Sequence, residues 1–237
     1  MGAQVDVGRR SAMKIAVLGT GTVGKHLAAA LARLGHDVRI GTRDPEETMG
    51  RGGGRGPEDP PFSAWSADHP QVGLEPFARA AAHGELVVNA TNGGASLAVL
   101  DLAGADNLAG KVLMDISDPL DLSQRLPPTL FVRDTDSLGE QIQRAHPRAL
   151  VVKTLNTLTA HLMVNPQVLG EETTVFMSGN DAGAKATVAG LLESFGHTDV
   201  IDLGDITTAR GTEMMMPVWL RLRQVLGTGS FNFKIVR

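Results

Sequence analysis

A chain of 237 residues is long enough to bury a sizeable core and amounts to one domain with an appendage. Its 22 basic and 26 acidic residues leave a formal charge of -4, so no positive field recruits nucleic acid or an anionic membrane surface, and a small-molecule partner is expected. Cys and Tyr are both absent, which excludes disulfides, thiolate metal sites, a thiol nucleophile and the tyrosine general acid of short-chain dehydrogenases.

The seven histidines contain no closely spaced pair suited to a metal on one helix, so no metal is expected. No apolar stretch approaches the roughly 18 residues needed to cross a bilayer, and no signal-type run follows the N-terminal arginines. A soluble cytoplasmic protein is expected.

Residues Met1 to Ala12 lack periodicity and read as a loose tail. The run Lys14 to Gly19 is short, aliphatic and closed by Gly, which predicts a strand buried on both faces. Val23, Leu27, Ala30, Leu31 and Leu34 then share one helical face, with Gly35 as a stop, and Val38 to Thr42 reads as a second strand. The Gly- and Pro-rich stretch Met49 to Pro61 predicts a surface loop or lid.

Beyond it the alternation predicts a helix over Leu74 to Ala82, a strand over Leu86 to Ala90, a helix over Ser96 to Leu102 and a strand over Val112 to Asp115. A helix near Ser137 to Ala145 and a strand over Ala149 to Lys153 follow, then strand Thr174 to Ser178, helix Ala182 to Ser194 and strand Asp199 to Asp202. This order predicts an α/β fold of Rossmann type: a doubly wound, mostly parallel sheet over residues 13–205. Residues 206–237 form a short helical appendage that completes an acceptor pocket or a dimer seam.

In that appendage Met214, Val218, Leu222 and Val225 mark the apolar stripe of one final helix, with a kink expected at Pro217. The cluster Met214 to Met216 reads as adaptable core packing, and Phe231 to Arg237 as a strand or clamp. The amount of apolar surface in this segment suggests a homodimer.

Gly19-Thr20-Gly21-Thr22-Val23-Gly24 has the spacing G-x-G-x-x-G between a buried strand and an amphipathic helix. The first glycine permits the tight turn, the second lets backbone approach a pyrophosphate, and the third lets helix close on strand. Unpaired amides and the positive end of the helix dipole then hold the anion. Gly41-Thr42-Arg43 ends the second strand, where NAD enzymes usually carry an acidic residue. Arg43 can pair with a 2′-phosphate and Thr42 can donate to it, which favours NADP. In the rival reading Asp44 binds a ribose and Arg43 is a solvated surface residue.

With these motifs the sequence resembles the NADPH-dependent coenzyme F420 reductase family, the F420-dependent NADP oxidoreductases. The resemblance runs from about Met13 to the C-terminus. It is carried by Lys14 to Gly21, Gly41 to Arg43, Val151-Val152-Lys153-Thr154-Leu155-Asn156-Thr157 and Phe231-Asn232-Phe233-Lys234. The chain is also similar to the cytosolic reductase domain of STEAP-type metalloreductases. The resemblance implies hydride transfer between NADP(H) and a deazaflavin, with stacked rings and few catalytic side chains.

By position, Thr20, Gly21, Thr22 and Val23 would then contact the pyrophosphate, Thr42 and Arg43 the 2′-phosphate, and the loop Thr91-Asn92-Gly93 would border the cofactor. The family's further basic residue four places after the arginine is Glu47 here.

The carboxyl ends of parallel strands are where such sheets bind ligands, and Asn89 to Asn92, Ser117-Asp118 and Asn156-Thr157 all fall there. Asn156 either bonds the nicotinamide carboxamide, positions the acceptor or caps a loop. His26 and His161 are either packing residues or substrate contacts, and Lys153 either forms a salt bridge or binds an anionic acceptor. The leading expectation is hydride transfer to coenzyme F420 or a flavin-like acceptor. The alternatives are an NADPH-dependent reductase of another small molecule and a non-catalytic NADPH sensor.

Overall fold

Alternate residues of β1 (Lys14–Leu18) serve opposite faces of a sheet: Ile15 and Val17 join one buried cluster, Ala16 and Leu18 another. The same division holds in β4 (Leu86–Asn89), β5 (Val112–Asp115) and β8 (Leu150–Thr154), where Val88, Met114 and Val152 pack on one side and Val87, Leu113 and Val151 on the other. Full burial of each such side chain contributes about 1.5–3 kcal/mol, so a two-faced strand needs helices on both sides. This computed structural model describes residues 12–53, 60–123 and 127–237. The loose tail expected over 1–12 falls outside them except for Ala12.

The first unit is β1, α1 (Thr22–Arg33) and β2 (Asp37–Thr42), with β1 and β2 parallel and Ile15 opposite Val38. Two short helices follow, α2 (Pro45–Gly50) and α3 (Phe62–Asp68). The expected loop 49–61 therefore begins inside α2; residues 51–53 and 60–61 are irregular, and the remainder lies outside the described residues.

The expected helix over Leu74 to Ala82 is corrected in its first turn. Gly73 to Pro76 form β3 (Gly73–Pro76), parallel to β2 with Leu74 opposite Ile40, and α4 (Phe77–His83) starts only after the proline. Pro76 has no N–H for a helix interior and sits at the end of an edge strand, where none is required.

After β4 come α5 (Gly93–Ala103), α6 (Ala105–Leu108) and β5, then the small hairpin of β6 (Leu120–Asp121) and β7 (Thr129–Leu130). Helix α7 (Leu138–Ala145) leads to β8, and α8 (Ala160–Val164) to β9 (Thr174–Gly179). Then follow α9 (Ala182–Phe195), β10 (Asp199–Asp202), α10 (Ala209–Met214) and α11 (Met216–Leu226).

The eight-stranded sheet has the order β10-β9-β8-β5-β4-β1-β2-β3. All neighbours from β3 to β8 are parallel, whereas β9 runs antiparallel to β8, with Val152 opposite Gly179, and β10 follows β9. Chain order reverses between β1 and β4, so the ligand crevice of such a sheet opens above their carboxyl ends.

Where one final helix was expected, there are two, and Pro217 occupies the first turn of α11, a position that tolerates its missing N–H. Met216 and Trp219 are buried, while Met214, Val218 and Val225 of the expected stripe face solvent. The last residues form no strand and act as a clamp. Thr174 N donates to the Phe233 carbonyl at 2.9 Å, Ile235 N to Thr174 Oγ1 at 2.9 Å, and Phe231 stacks on Trp219. Among the described residues no helix is long and apolar enough to cross a membrane.

Candidate functional site

The glycine turn joins β1 to α1 as expected, and each of its glycines answers a different constraint. Gly19 has φ +121°, and a Cβ there would lie 2.6 Å from the Ala90 carbonyl oxygen. A Cβ on Gly24 would overlap the Gly19 carbonyl oxygen, so helix and strand close only on glycine. Among the described residues, its chain neighbours aside, no heavy atom lies within 4 Å of the position a Cβ on Gly21 would take. Nothing in the fold demands glycine there, which leaves an open cradle of the shape a pyrophosphate requires.

Thr22 and Val23 open α1 with no side-chain cap and no acidic residue in the first turn, so its amides face this space without competition. Thr20 and Gly21 also bound a cavity of about 430 Å³ that continues to Lys25, Thr48 and Arg51. Lys25 Nζ donates to the Pro60 carbonyl at 2.9 Å, and Arg51 pairs with Glu47 at 3.2 Å. Two cations that spacing from the glycine turn did not single out thus stand at this cavity, beside the glutamate that replaces the family's basic residue.

At the end of β2, Arg43 is exposed and, among the described residues, forms no hydrogen bond or ion pair. Asp44 is the N-cap of α2, its Oδ1 accepting from Glu47 N at 3.0 Å, a role that accounts for it without a ribose. Thr42 is buried and its hydroxyl is 2.7 Å from that of Thr48, so it braces α2 against the strand end.

At the end of β4, Asn89 is fully buried. Its Nδ2 donates to Asp115 Oδ1 at 2.8 Å and Ser96 Oγ at 3.1 Å, and its Oδ1 accepts from Thr91 Oγ1 at 2.6 Å. Asn92 caps α5 by accepting from Gly94 N at 3.0 Å. Gly93 follows so closely on the next strand end that a Cβ would overlap the Asp118 carbonyl oxygen. The three residues expected to border the cofactor are therefore a tightly held loop on the crevice side.

Lys153 resolves toward the salt bridge. Its Nζ, fully buried, lies 2.8 Å from Asp115 Oδ2 and 2.9 Å from Glu213 Oε1 and donates to the Ser117 carbonyl. Burial lowers its pKa, but Asp115, Glu213 and Asp118 together outweigh that, and the ammonium is held charged. Leu155 then adopts φ +58°, a left-handed conformation costly for a branched side chain. The next residue, Asn156, donates from Nδ2 to Asp118 Oδ1 at 2.9 Å and to the Thr212 carbonyl at 3.1 Å. Its two donors are occupied, which leaves its carbonyl oxygen for a ligand.

On the other side of α1 a second cavity, of about 870 Å³, is bounded by Thr22, Val23, His26, His161, Trp219 and Arg223. His26 Nδ1 is 2.9 Å from the Thr22 carbonyl, His161 Nε2 is 3.2 Å from Ser230 Oγ, and the Arg223 guanidinium lies over the Trp219 ring at 5.8 Å. The appendage thus closes one wall of a space that shares its floor with the phosphate turn.

The family profile "NADP oxidoreductase coenzyme F420-dependent" matches residues 14–119. A crystal structure from Arthrobacter sp. FB24, described provisionally as an F420-dependent NADP-reductase, is 63% identical, covers 95% of this chain and 100% of its own, and superposes with a TM-score of 0.91. Metalloreductase STEAP3 of Rattus norvegicus is 28% identical over 227 residues; the match takes in 94% of this chain but only 41% of the length of that protein. A reductive aminase from Aspergillus terreus, in complex with NADPH and ethyl levulinate, shares the fold at 16% identity, with 92% of this chain and 63% of its own covered and a TM-score of 0.60. The chain belongs to the F420-dependent NADP oxidoreductase family and is an NADP-dependent oxidoreductase.

Proposed function

We propose that the protein transfers hydride between NADP(H) and a deazaflavin, coenzyme F420, or a flavin-like acceptor. One observation carries this reading: two cavities are bounded by successive residues of the same helix N-terminus, one running from Thr20 and Gly21 toward Arg51, the other from Thr22 and Val23 toward His161 and Arg223. The first suits a dinucleotide whose pyrophosphate rests on the open side of Gly21. Arg43 is free to take the 2′-phosphate, and Lys25 and Arg51 add positive charge at the cavity.

NADPH supplies the reducing equivalent as a hydride from nicotinamide C4. The chain's own part is to hold donor and acceptor in contact and to keep water out. The second cavity supports a neighbouring acceptor, and its histidines and arginine suit one that carries negative charge. The test is anaerobic loss of NADPH absorbance on addition of coenzyme F420 or FMN. Turnover with either supports the reading; tight NADPH binding with no acceptor-dependent oxidation overturns it in favour of a sensor.

A further inference from the structure

The second cavity is marked by the sign of its walls as well as by its size. Among the described residues that bound it none is acidic, in a chain whose formal charge is -4. The stretch from Met214 to Arg237, which supplies one wall, contains no Asp or Glu at all. A cleft of one sign with partly apolar walls concentrates anions.

That wall is fixed in place. Helix α11 ends on Gly227 in the left-handed conformation, φ +67°, and the chain turns back through Thr228, Gly229 and Ser230. Gly229 packs so closely on Thr159, the N-cap of α8, that a Cβ would lie 2.4 Å from the threonine methyl. Thr159 Oγ1 donates to the Gly229 carbonyl at 3.0 Å. The turn stands beside Arg223, since the same Cβ would be 3.9 Å from the arginine Nε, and Ser230 Oγ is 3.2 Å from His161 Nε2.

Donors remain at this turn after the protein's own bonds are made. The Arg223 guanidinium lies over the Trp219 ring and, among the described residues, has no carboxylate partner, so its N–H edge is open to a bidentate contact. Thr228 Oγ1 accepts from Ser230 N at 3.0 Å, which leaves its hydroxyl hydrogen to donate. Val23, Leu158 and Trp219 give the same cavity an apolar part that suits a flat ring. The carboxyl end of α11 works against an anion at the turn, but a helix end carries only about half a unit charge and the guanidinium a full one.

We propose that this end of the second cavity, built from Arg223, Thr228, Ser230 and His161, binds a phosphate ester carried by the hydride acceptor. The enzyme thereby selects phosphorylated acceptors over their phosphate-free forms. The inference rests on the hydride-transfer reading above and narrows it to one class of acceptor. The arginine fork takes two phosphate oxygens and Thr228 donates to one of them. Arg223 determines specificity and has no part in the chemical step. Its contact is the same before and during hydride transfer, so it acts on KM rather than kcat.

Four acceptors test this in pairs, anaerobically and at saturating NADPH: FMN against riboflavin, and coenzyme F420 against the ribityl deazaflavin that remains when its phosphate chain is removed. In the parent the phosphorylated member of each pair that is reduced should have the higher kcat/KM, by roughly tenfold to a hundredfold. In Arg223→Gln that advantage should shrink to about threefold or less, through a rise in the KM of the phosphorylated member that its partner does not share. Quenching of flavin fluorescence with NADP+ bound gives the same comparison as affinities, without turnover.

Equal kcat/KM within each pair in the parent, or an advantage that Arg223→Gln leaves intact, overturns the inference and leaves hydride transfer standing. A variant whose affinity falls for NADPH in place of the acceptor also overturns it. If no acceptor is reduced, the hydride-transfer reading falls, and the fluorescence comparison still decides the phosphate site. Should Arg223→Gln not fold, Thr228→Val decides: it must cut the advantage severalfold, and an unchanged advantage overturns the inference.

Discussion

Glu213 meets Lys153 in full burial, Oε1 to Nζ at 2.9 Å, and the same carboxylate accepts the amides of Leu138 at 2.8 Å and Gly139 at 3.0 Å. One side chain from α10 thereby neutralises the central lysine of β8 and caps α7, fastening the appendage to the middle of the sheet. Lys153→Met would leave Asp115 and Glu213 buried without their cation. The expected loss is about 3–5 kcal/mol of stability, the cost of an uncompensated buried charge. A lower urea midpoint with an unchanged slope would record it.

The glycines of the turn separate folding from binding. Gly24→Ala drives a methyl into the Gly19 carbonyl and should lower the melting temperature by several degrees or prevent folding. Gly21→Ala meets none of the described residues beyond its chain neighbours, so its melting temperature should stay within a degree or two while NADPH affinity drops at least tenfold. Calorimetric titration beside thermal melts distinguishes the two.

Cofactor choice is expected to rest on Arg43. Charge-assisted bonds to a phosphate contribute about 1.5–3 kcal/mol each, so Arg43→Ala should raise the KM for NADPH roughly ten- to a hundredfold and leave that for NADH nearly unchanged. Arg51→Ala should shift the same ratio in the same direction by less, because Arg51 is shared with Glu47. Equal effects on both nucleotides would remove these residues from the 2′-phosphate site.

Asp118 leaves a mark on stability. With its carboxyl pushed by burial from the model-peptide value of 3.8 up to about 7, the folded chain binds more protons than the unfolded one between those values. Its contribution to stability therefore falls as pH rises from about 4 to about 7 and is level above. Denaturation series at several pH values should show a shallower fall in Asp118→Asn than in the parent.

Much of the sheet was legible because its strands are buried on both faces and its helices carry one apolar side, patterns that survive in a single sequence. Direction was not: the strand pattern of β9 does not say which way it runs, and the register in which Val152, Lys153 and Thr154 face Gly179, Ser178 and Met177 in turn shows it antiparallel. The glycine turn was legible because each glycine answers a local constraint. The partners of Lys153 were not, since Glu213 lies 60 positions along the chain and nothing in its surroundings marks it as buried. Thr42, expected at the 2′-phosphate, also bonds to Thr48, because the short helix α2, Pro45–Gly50, for which no helix was expected, folds back on the strand end. Lys25 and Arg51 reach the same cavity through that packing.

The most direct test of the account is to supply NADPH carrying deuterium at both C4 positions of the nicotinamide to the enzyme with coenzyme F420 under anaerobic conditions and to weigh the reduced product. Direct transfer within the paired cavities predicts one deuterium on the reduced deazaflavin. Reduced product without deuterium, or NADPH left intact, would contradict it.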